Sequence, residues 1–400
     1  MNTFKKAYCR TFQTCFKLLL PFLPYREPKI LNNNAEVGAL LKSKKLKCPF
    51  FVTDKTIRGI GLTKALEDEL ASAGCKVTVF DEVTPNPTIS LVERGLEAYK
   101  ANKCDCIIAL GGGSVIDCAK AVGARVVKPN QSVSKMKGLL KVCKRLPLLI
   151  AIPTTAGTGS ETTLAAVITD DKTHYKYAIN DFSLIPHYAL LDYNLTLGLN
   201  PFITATTGLD ALTHAIEAYI GRSTTRQTRK AALDAIALIK DNLAVAVQDG
   251  KNVAARQNML HASYLAGVAF TQSYVGYVHA IAHSLGGKYG VPHGLANAVI
   301  LPVVLREYGE AAHKKLAKIA VHIGLATADT DISKAAESVI AWIEGLNKQF
   351  NLPSTIAELK REDIAELAQK ADKEGNPLYP VPKLYDAKEL EKIYLKLLKN

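Results

Sequence analysis

The stretch "IIALGGGSVIDCAKAV", residues 107–122, decides how the first half of this chain reads. An apolar run enters Gly111-Gly112-Gly113-Ser114 without alternation, and a helical pattern begins directly after it. Strands with no polar alternation are covered on both faces, as in a parallel sheet. Glycines after such a strand let the backbone approach a diphosphate, and a helix N-terminus offers free N–H groups and a favourable dipole. The turn is not G-x-G-x-x-G, so the ordinary dinucleotide fingerprint is absent, and a tight turn without any ligand stands beside the phosphate reading.

The same alternation extends outward. "PFFVTD" and "KVTVF" read as strands, "RGIGLTKALEDELASAG" and "TISLVERGLEAYKANK" as helices, and "PLLIAIP" as a further buried strand. A second loop, "PTTAGTGSE" (153–161), follows that strand with the hydroxyls of Thr154, Thr155 and Thr158 and two glycines. Two such loops at the carboxyl edge of one sheet fit an extended nucleotide better than either does singly. Asp54 closes the first strand, where it could accept from ribose hydroxyls and repel a 2′-phosphate, or simply cap a helix. "AAVITDDKTHYKYAI" reads as a hairpin and "HYALLDY" as a last strand.

At "LGLNP" the character changes. Asn200 suits an N-cap and Pro201 a first helical position, and the segments beyond are almost all helical. Three regions are expected: an N-terminal arm over 1–46, an α/β dinucleotide-binding domain over 47–198 and a helical metal-binding domain over 199–400. A cleft between the two domains is the expected ligand site.

In the helical half, "GLDALTHAIEAY" (208–219) sets Asp210 and His214 four residues apart, on one helix face. "YVHAIAHSLGGKYGVPHG" (277–294) repeats that spacing with His279 and His283 and adds His293 in the following turn. Three of the nine histidines fall within the fifteen residues from His279 to His293. Five metal-capable side chains, imidazoles and one carboxylate without thiolates, suit a borderline divalent ion such as Fe²⁺ or Zn²⁺. The pattern leaves open which of the five are ligands.

Composition excludes other classes. The net charge of +13 is uneven: residues 1–50 carry +8, residues 125–145 carry +7, and the remainder is slightly acidic. The basicity belongs to two segments, read as solvated surface or as an approach for an anionic ligand, and nucleic acid is not an expected partner. The eight cysteines show no C-x-x-C and no framework spacing, which points to reduced thiols and a cytoplasmic location. The N-terminal "KKAYCRTFQTCFKLLLPFLPYREPK" is broken by Pro21 and Pro24 and lacks a cleavage pattern. It reads as an extra arm that docks on the body or a partner, with contact to a membrane surface as the lesser reading. No stretch reaches the roughly 20 apolar residues of a membrane span.

"GGGSVIDCAK", "PTTAGTGSE", "GLDALTHAIEAY" and "HAIAHSLGGKYGVPHG" together resemble, in order, the motifs of the iron-containing (group III) alcohol dehydrogenase family. The resemblance covers most of the chain from about Lys47. It implies a Rossmann-like α/β domain with a parallel sheet and an all-helical C-terminal domain, similar to dehydroquinate synthase and glycerol dehydrogenase. It assigns Asp210, His214, His279 and His293 as metal ligands and His283 as a proton relay near the nicotinamide. Gly112, Gly113, Ser114 and Asp117 match the pyrophosphate loop, Thr154, Thr155 and Thr158 the second loop, Lys176 a cofactor-contacting lysine, and Asn86 a position beside the adenosine. Asp54 matches the residue of NAD-preferring members, so NAD is expected over NADP.

The implied activity is hydride transfer between NAD(H) and a primary alcohol or aldehyde, with Fe²⁺ as the ion, Zn²⁺ as the alternative, and a homodimer as the assembly. Polyol oxidation with zinc and reduction of an anionic aldehyde are the competing enzyme readings, and a nucleotide-binding scaffold is the non-enzyme one. The segment "AFTQSYVGYVH" (269–279) departs from the family's usual pattern at Gln272 and Tyr274. Tyr274 would narrow a cleft if it faced one, or else sit at a surface.

Overall fold

The computed structural model describes residues 1–173 and 175–399. Its chain separates into two units, Pro24–Gly198 and Met1–Leu23 with Leu199–Asn400. The expectation of a single arm over 1–46 is therefore corrected. Residues up to Leu23 join the helical unit. Those from Pro24 join the α/β unit, because Lys29–Leu31 adds a strand to its sheet and Val37 and Leu41 bury in its core.

The chain begins with helix α1, Thr3–Leu19, capped by the Asn2 side chain, which accepts from the Lys5 N–H. Pro21 and Pro24 follow, and the helix yields to a single 3₁₀ turn. The α/β unit then runs β1 (Lys29–Leu31), α2 (Asn34–Ser43), β2 (Pro49–Val52), α3 (Lys55–Gly59), α4 (Lys64–Ser72), β3 (Thr78–Phe80), α5 (Ile89–Ala101), β4 (Cys106–Gly111) and α6 (Gly113–Val127). It continues through β5 (Gly138–Leu139), β6 (Leu148–Pro153), β7 (Ala165–Thr169), β8 (Lys176–Asn180) and β9 (Tyr188–Leu190). The single helix expected after β2 is broken in two around Gly61, whose φ of 81° no helix accommodates.

Six strands form one parallel sheet in the order β1-β9-β6-β4-β2-β3. Its apolar runs are explained by burial on both faces. Phe50, Val52, Ile107, Ala109, Leu149 and Ala151 pack on α5 and α6, while their neighbours Phe51, Ile108, Leu110, Ile150 and Ile152 pack on α2 and α4. Each such Leu or Ile contributes about 1.5–3 kcal/mol over an exposed position. A smaller sheet, β5-β8-β7, contains the expected hairpin as the antiparallel pair β7–β8, whose connection includes His174, outside the described residues.

The helical unit adds α7 (Pro201–Ile220), α8 (Arg226–Gln248), α9 (Val253–Ser273), α10 (Tyr277–Tyr289), α11 (His293–Tyr308), α12 (Glu310–His322), α13 (Ile332–Gln349), α14 (Ile364–Gly375) and α15 (Ala387–Leu397). Asn200 caps α7 by accepting from the Ile203 N–H, and Pro201 is its first residue. No helix among the described residues is long and apolar enough to cross a membrane. All eight cysteines are free.

His187, just before β9, ties that strand to β6: its N–H donates to Leu149, and its Nδ1 accepts from the Leu149 N–H. Burial, then the charges of Arg26, Arg145 and Lys44, push the imidazole down from 6.5 to about 4. In that interval the unfolded chain takes up a proton that the folded one refuses, so the stabilisation is complete above pH 6.5 and is lost as pH falls toward 4. The urea midpoint should drop across this window, and His187→Asn, which keeps an acceptor but cannot titrate, should flatten the drop.

Candidate metal centre and nucleotide loops

Helix α7 carries Asp210, His214 and Glu217 at spacings that share one face. The first two, with His279 of α10 and His293 at the start of α11, supply four donor atoms that all lie within 4.8 Å of one another. The Asp210 Oδ1 stands 3.5 Å from His293 Nε2, 3.9 Å from His279 Nε2 and 4.0 Å from His214 Nδ1. Asp210, His214 and His279 are buried, whereas the His293 side chain is 38% exposed, so the cluster opens to solvent on that side. Gly294 makes this approach possible: a Cβ there would stand 2.5 Å from the Thr206 carbonyl, so only glycine lets α11 start against α7.

A residue not singled out in the sequence organises the cluster. The buried Glu217 carboxylate accepts from the N–H groups of Gly276 and Val278, at 2.8 and 2.9 Å, and faces His279 Nδ1 at 2.6 Å. That contact keeps the proton on Nδ1 and turns the Nε2 lone pair toward Asp210. Burial pushes Glu217 up to about 7, against the pull of those donors. His279 is driven well below 6.5 by burial and by the neighbouring imidazoles, so it is neutral.

Asn297, one turn into α11, tests what the cluster accepts. Its amide nitrogen donates to Asp210 at 2.6 Å and lies 3.1 and 3.3 Å from the Nε2 atoms of His293 and His279. Its own buried Oδ1 has no hydrogen-bond partner among the described residues. Several lone pairs thus converge on one electropositive group. A carboxylate and three imidazoles so arranged fit a divalent transition ion.

His283 lies beside this set and outside it. Its ring stacks on His293 with centroids 5.2 Å apart, its Nδ1 meets Glu374 Oε1 at 2.6 Å, and Tyr379 donates to the same oxygen at 2.8 Å. Tyr274, at the end of α9, packs edge-on against Phe16 of α1 with centroids 5.1 Å apart, which fixes its surroundings within the helical unit. Of the residues the sequence reading passed over, Glu217 and Asn297 were within reach, one turn beyond His214 and His293. Glu374 was not, because 91 residues separate it from its partner.

In the α/β unit the two glycine-bearing loops lie side by side. Gly111 pairs with Pro153 at the ends of adjacent parallel strands, and the Thr154 N–H donates to the Gly111 carbonyl. Thr158 Cγ2 lies 3.1 Å from where a Cβ would stand on Gly113. Gly112 begins α6 without a side-chain cap, which leaves that helix end open to an anionic group. The Asn86 N–H donates to Ser114 Oγ.

Asp117 departs from the loop reading, because both its oxygens are engaged internally. They accept from the Ser160 hydroxyl at 2.8 Å and the Val167 N–H at 3.0 Å. It therefore fastens the second loop to α6. Lys120 does the same, donating to Ser160, Thr163 and Ala165. Asp54 is a helix cap, accepting from the Ile57 N–H at 2.8 Å. Lys176 is half-buried at the start of β8, and burial lowers its ammonium below the usual lysine range. In the basic segment, Arg125 pairs with Glu93 and donates to three carbonyls, a structural use of its charge.

An α/β unit with paired glycine loops and a helical unit with a histidine–carboxylate cluster define a two-domain oxidoreductase class. The chain belongs to the iron-containing alcohol dehydrogenase family. The model "Iron-containing alcohol dehydrogenase" matches residues 30–193, and "Fe-containing alcohol dehydrogenase family, C-terminal" matches residues 204–398. The chain is 40% identical to the 1,3-propanediol dehydrogenase of Citrobacter freundii over 95% of this chain and 98% of that one. The crystal structure of a 1,3-propanediol oxidoreductase superposes with a TM-score of 0.89 at 37% identity, covering 94% of this chain and 99% of the other. The sulfoacetaldehyde reductase of Bifidobacterium kashiwanohense, solved in complex with NAD⁺, gives a TM-score of 0.81 at 29% identity, with coverage of 93% and 98%.

Replacing Glu217 with Gln should leave the metal cluster's residues in place but weaken the orientation of His279. Titration against a competing chelator should show about 10- to 100-fold weaker metal binding, with the far-ultraviolet circular dichroism unchanged.

Proposed function

We propose that the protein interconverts small primary alcohols and aldehydes with NAD(H), using an iron ion held by Asp210, His214, His279 and His293. The observation that carries this reading is the convergence of the four donor atoms within 4.8 Å in a largely buried setting. When bound, the ion supplies an electropositive centre that favours the alkoxide form of an alcohol or polarises a carbonyl, and the nicotinamide supplies the hydride acceptor or donor. The balance is alcohol plus NAD⁺ to aldehyde, NADH and one proton.

The chain's own residues do the rest. Glu217 fixes the donor face of His279, and low exposure of Asp210, His214 and His279 keeps competing water away. His283, held at its Nδ1 by Glu374, takes the hydroxyl proton and passes it on toward solvent. Gly112, Gly113 and Ser114 would cradle the pyrophosphate, with Thr154, Thr155, Thr158 and Lys176 as further contacts and Asn86 beside the adenosine. Asp117 supports that cradle by holding the second loop. The free oxygen lone pairs of Asp54 would accept from the ribose and repel a 2′-phosphate.

Neutral diols and short alcohols are the favoured substrates, in line with the 40% identical propanediol dehydrogenase. Reduction of an anionic aldehyde is the second reading, supported by the sulfoacetaldehyde reductase among the structural relatives and by the basic 125–145 segment. The test is a reductase screen over neutral and anionic aldehydes, with iron- and zinc-loaded protein, following NADH and NADPH separately. NADH-linked turnover is expected, best with iron, with a loss of about a thousandfold in Asp210→Asn. Asp54→Gly should raise NADPH use relative to NADH. Absence of turnover across the panel with metal-loaded protein would overturn the reading.

A further inference from the structure

His283 is held by a chain of contacts that ends on the first helix. Its side chain is 40% exposed and that of Glu374 33%, so packing alone fixes neither. A partly exposed glutamate keeps several rotamers unless a hydrogen bond selects one. Glu374 Oε1 faces His283 Nδ1 at 2.6 Å and accepts from the Tyr379 hydroxyl at 2.8 Å. Tyr379 is the rigid member of the three. It is buried, and burial beside Glu374 holds its phenol well above the ordinary tyrosine range, so the hydroxyl keeps its proton and donates.

Tyr379 is fixed in turn from two sides. Its carbonyl accepts from the buried Gln13 of α1 at 2.8 Å, and its N–H donates to the Gly375 carbonyl at 2.7 Å. Gln13 is aimed by Arg10, which donates to Gln13 Oε1 at 2.8 Å and to the carbonyls of Val381 and Pro382. On the ring side stands Tyr274, with centroids 6.4 Å apart, and beyond it Phe16 of α1. Tyr274 has φ 60° and ψ 179°, a conformation that glycine takes freely and tyrosine only under strain. A bulky residue persists there when its surroundings hold it, and this ring sits between Phe16 and Tyr379.

We propose that Tyr379 is a positioning residue for the proton transfer. With α1 and Tyr274 behind it, its hydroxyl selects the Glu374 rotamer that meets His283 Nδ1, and so sets how the His283 ring stands beside the metal donors. The proposal rests on the reading of His283 as the group that takes the hydroxyl proton, and it adds the first helix of the chain to the supports of that site. A tyrosine that served packing alone would need only some acceptor for its hydroxyl. This one uses the oxygen that His283 also meets, and the two groups are coupled through it.

The test uses the full-length, metal-loaded protein, with NADH formation followed over a single turnover at saturating alcohol. Tyr379→Phe keeps the ring and removes only the hydroxyl. It should slow NADH formation about tenfold, with the alcohol KM and the metal affinity against a chelator unchanged. Glu374→Ala should slow it as much or more, and the double variant no further than Glu374→Ala alone, because Tyr379 acts through that carboxylate. Tyr274→Gly, which suits the backbone there, should slow it about threefold. Crystals of the Tyr379→Phe variant should show Glu374 and the His283 ring in new or split rotamers. An unchanged rate in Tyr379→Phe, a loss that multiplies with that of Glu374→Ala, or a matching fall in metal affinity would overturn the proposal. Failure of the wild type to turn over any alcohol would instead strike the proposed function. The crystals would then decide the positioning role alone, and unmoved rotamers would overturn it.

Discussion

In the helical unit, the contact between Glu217 and His279 sets the terms for everything around it. A carboxylate buried in the middle of α7 is expensive unless its lone pairs are used, and here two backbone N–H groups at the start of α10 and one imidazole use them. The same bonds lock α10 onto α7 in one register. They thereby decide which nitrogen of His279 faces Asp210, and so whether four separate side chains become one donor set. A neutral His279 follows from burial and from its imidazole neighbours, and a neutral imidazole is the form that can ligate.

The α/β unit solves a different problem with similar means. Its parallel strands need cover on both faces, which the alternating inward residues of β4 and β6 provide, and their carboxyl ends then carry the glycine loops. Loops rich in small residues are poorly fixed by packing. Asp117 and Lys120, both on α6, hold the second loop and the strand after it by hydrogen bonds from one side. The loop backbone is thereby ordered before any ligand arrives, which lowers the entropic cost of binding. Charged residues in this region serve as braces, and Gly112, Gly113, Ser114, Thr155 and Thr158 stay partly exposed beside them.

Helix α1 shows how composition and placement can part. It docks through apolar and polar side chains together, Cys9 and Phe16 beside Arg10 and Gln13. The C-terminal segment near Tyr379–Pro382 presents carbonyl oxygens without partners in regular structure, and Arg10 and Gln13 satisfy them. These hydrogen bonds, with Cys9 buried and Phe16 packed on Tyr274 beside them, fix the rotation of this helix, and Phe4, Tyr8, Leu18 and Leu19 are left exposed.

Much of the architecture was legible in the chain. Unalternated apolar runs spaced by helical segments specify a covered parallel sheet, Asn200-Pro201 specifies a helix start, and i, i+4 pairs of Asp and His put ligand types on common faces, because these are local periodicities. The family resemblance carried the choice among five metal-capable residues, which spacing alone left open. What the chain could not express was distance across the fold. Glu374 meeting His283, Asp117 turning inward to Ser160, and the division of the first 46 residues between two units all depend on contacts between segments far apart in sequence. Such contacts have no local period to betray them, and only the packed tertiary structure selects which polar groups must find each other.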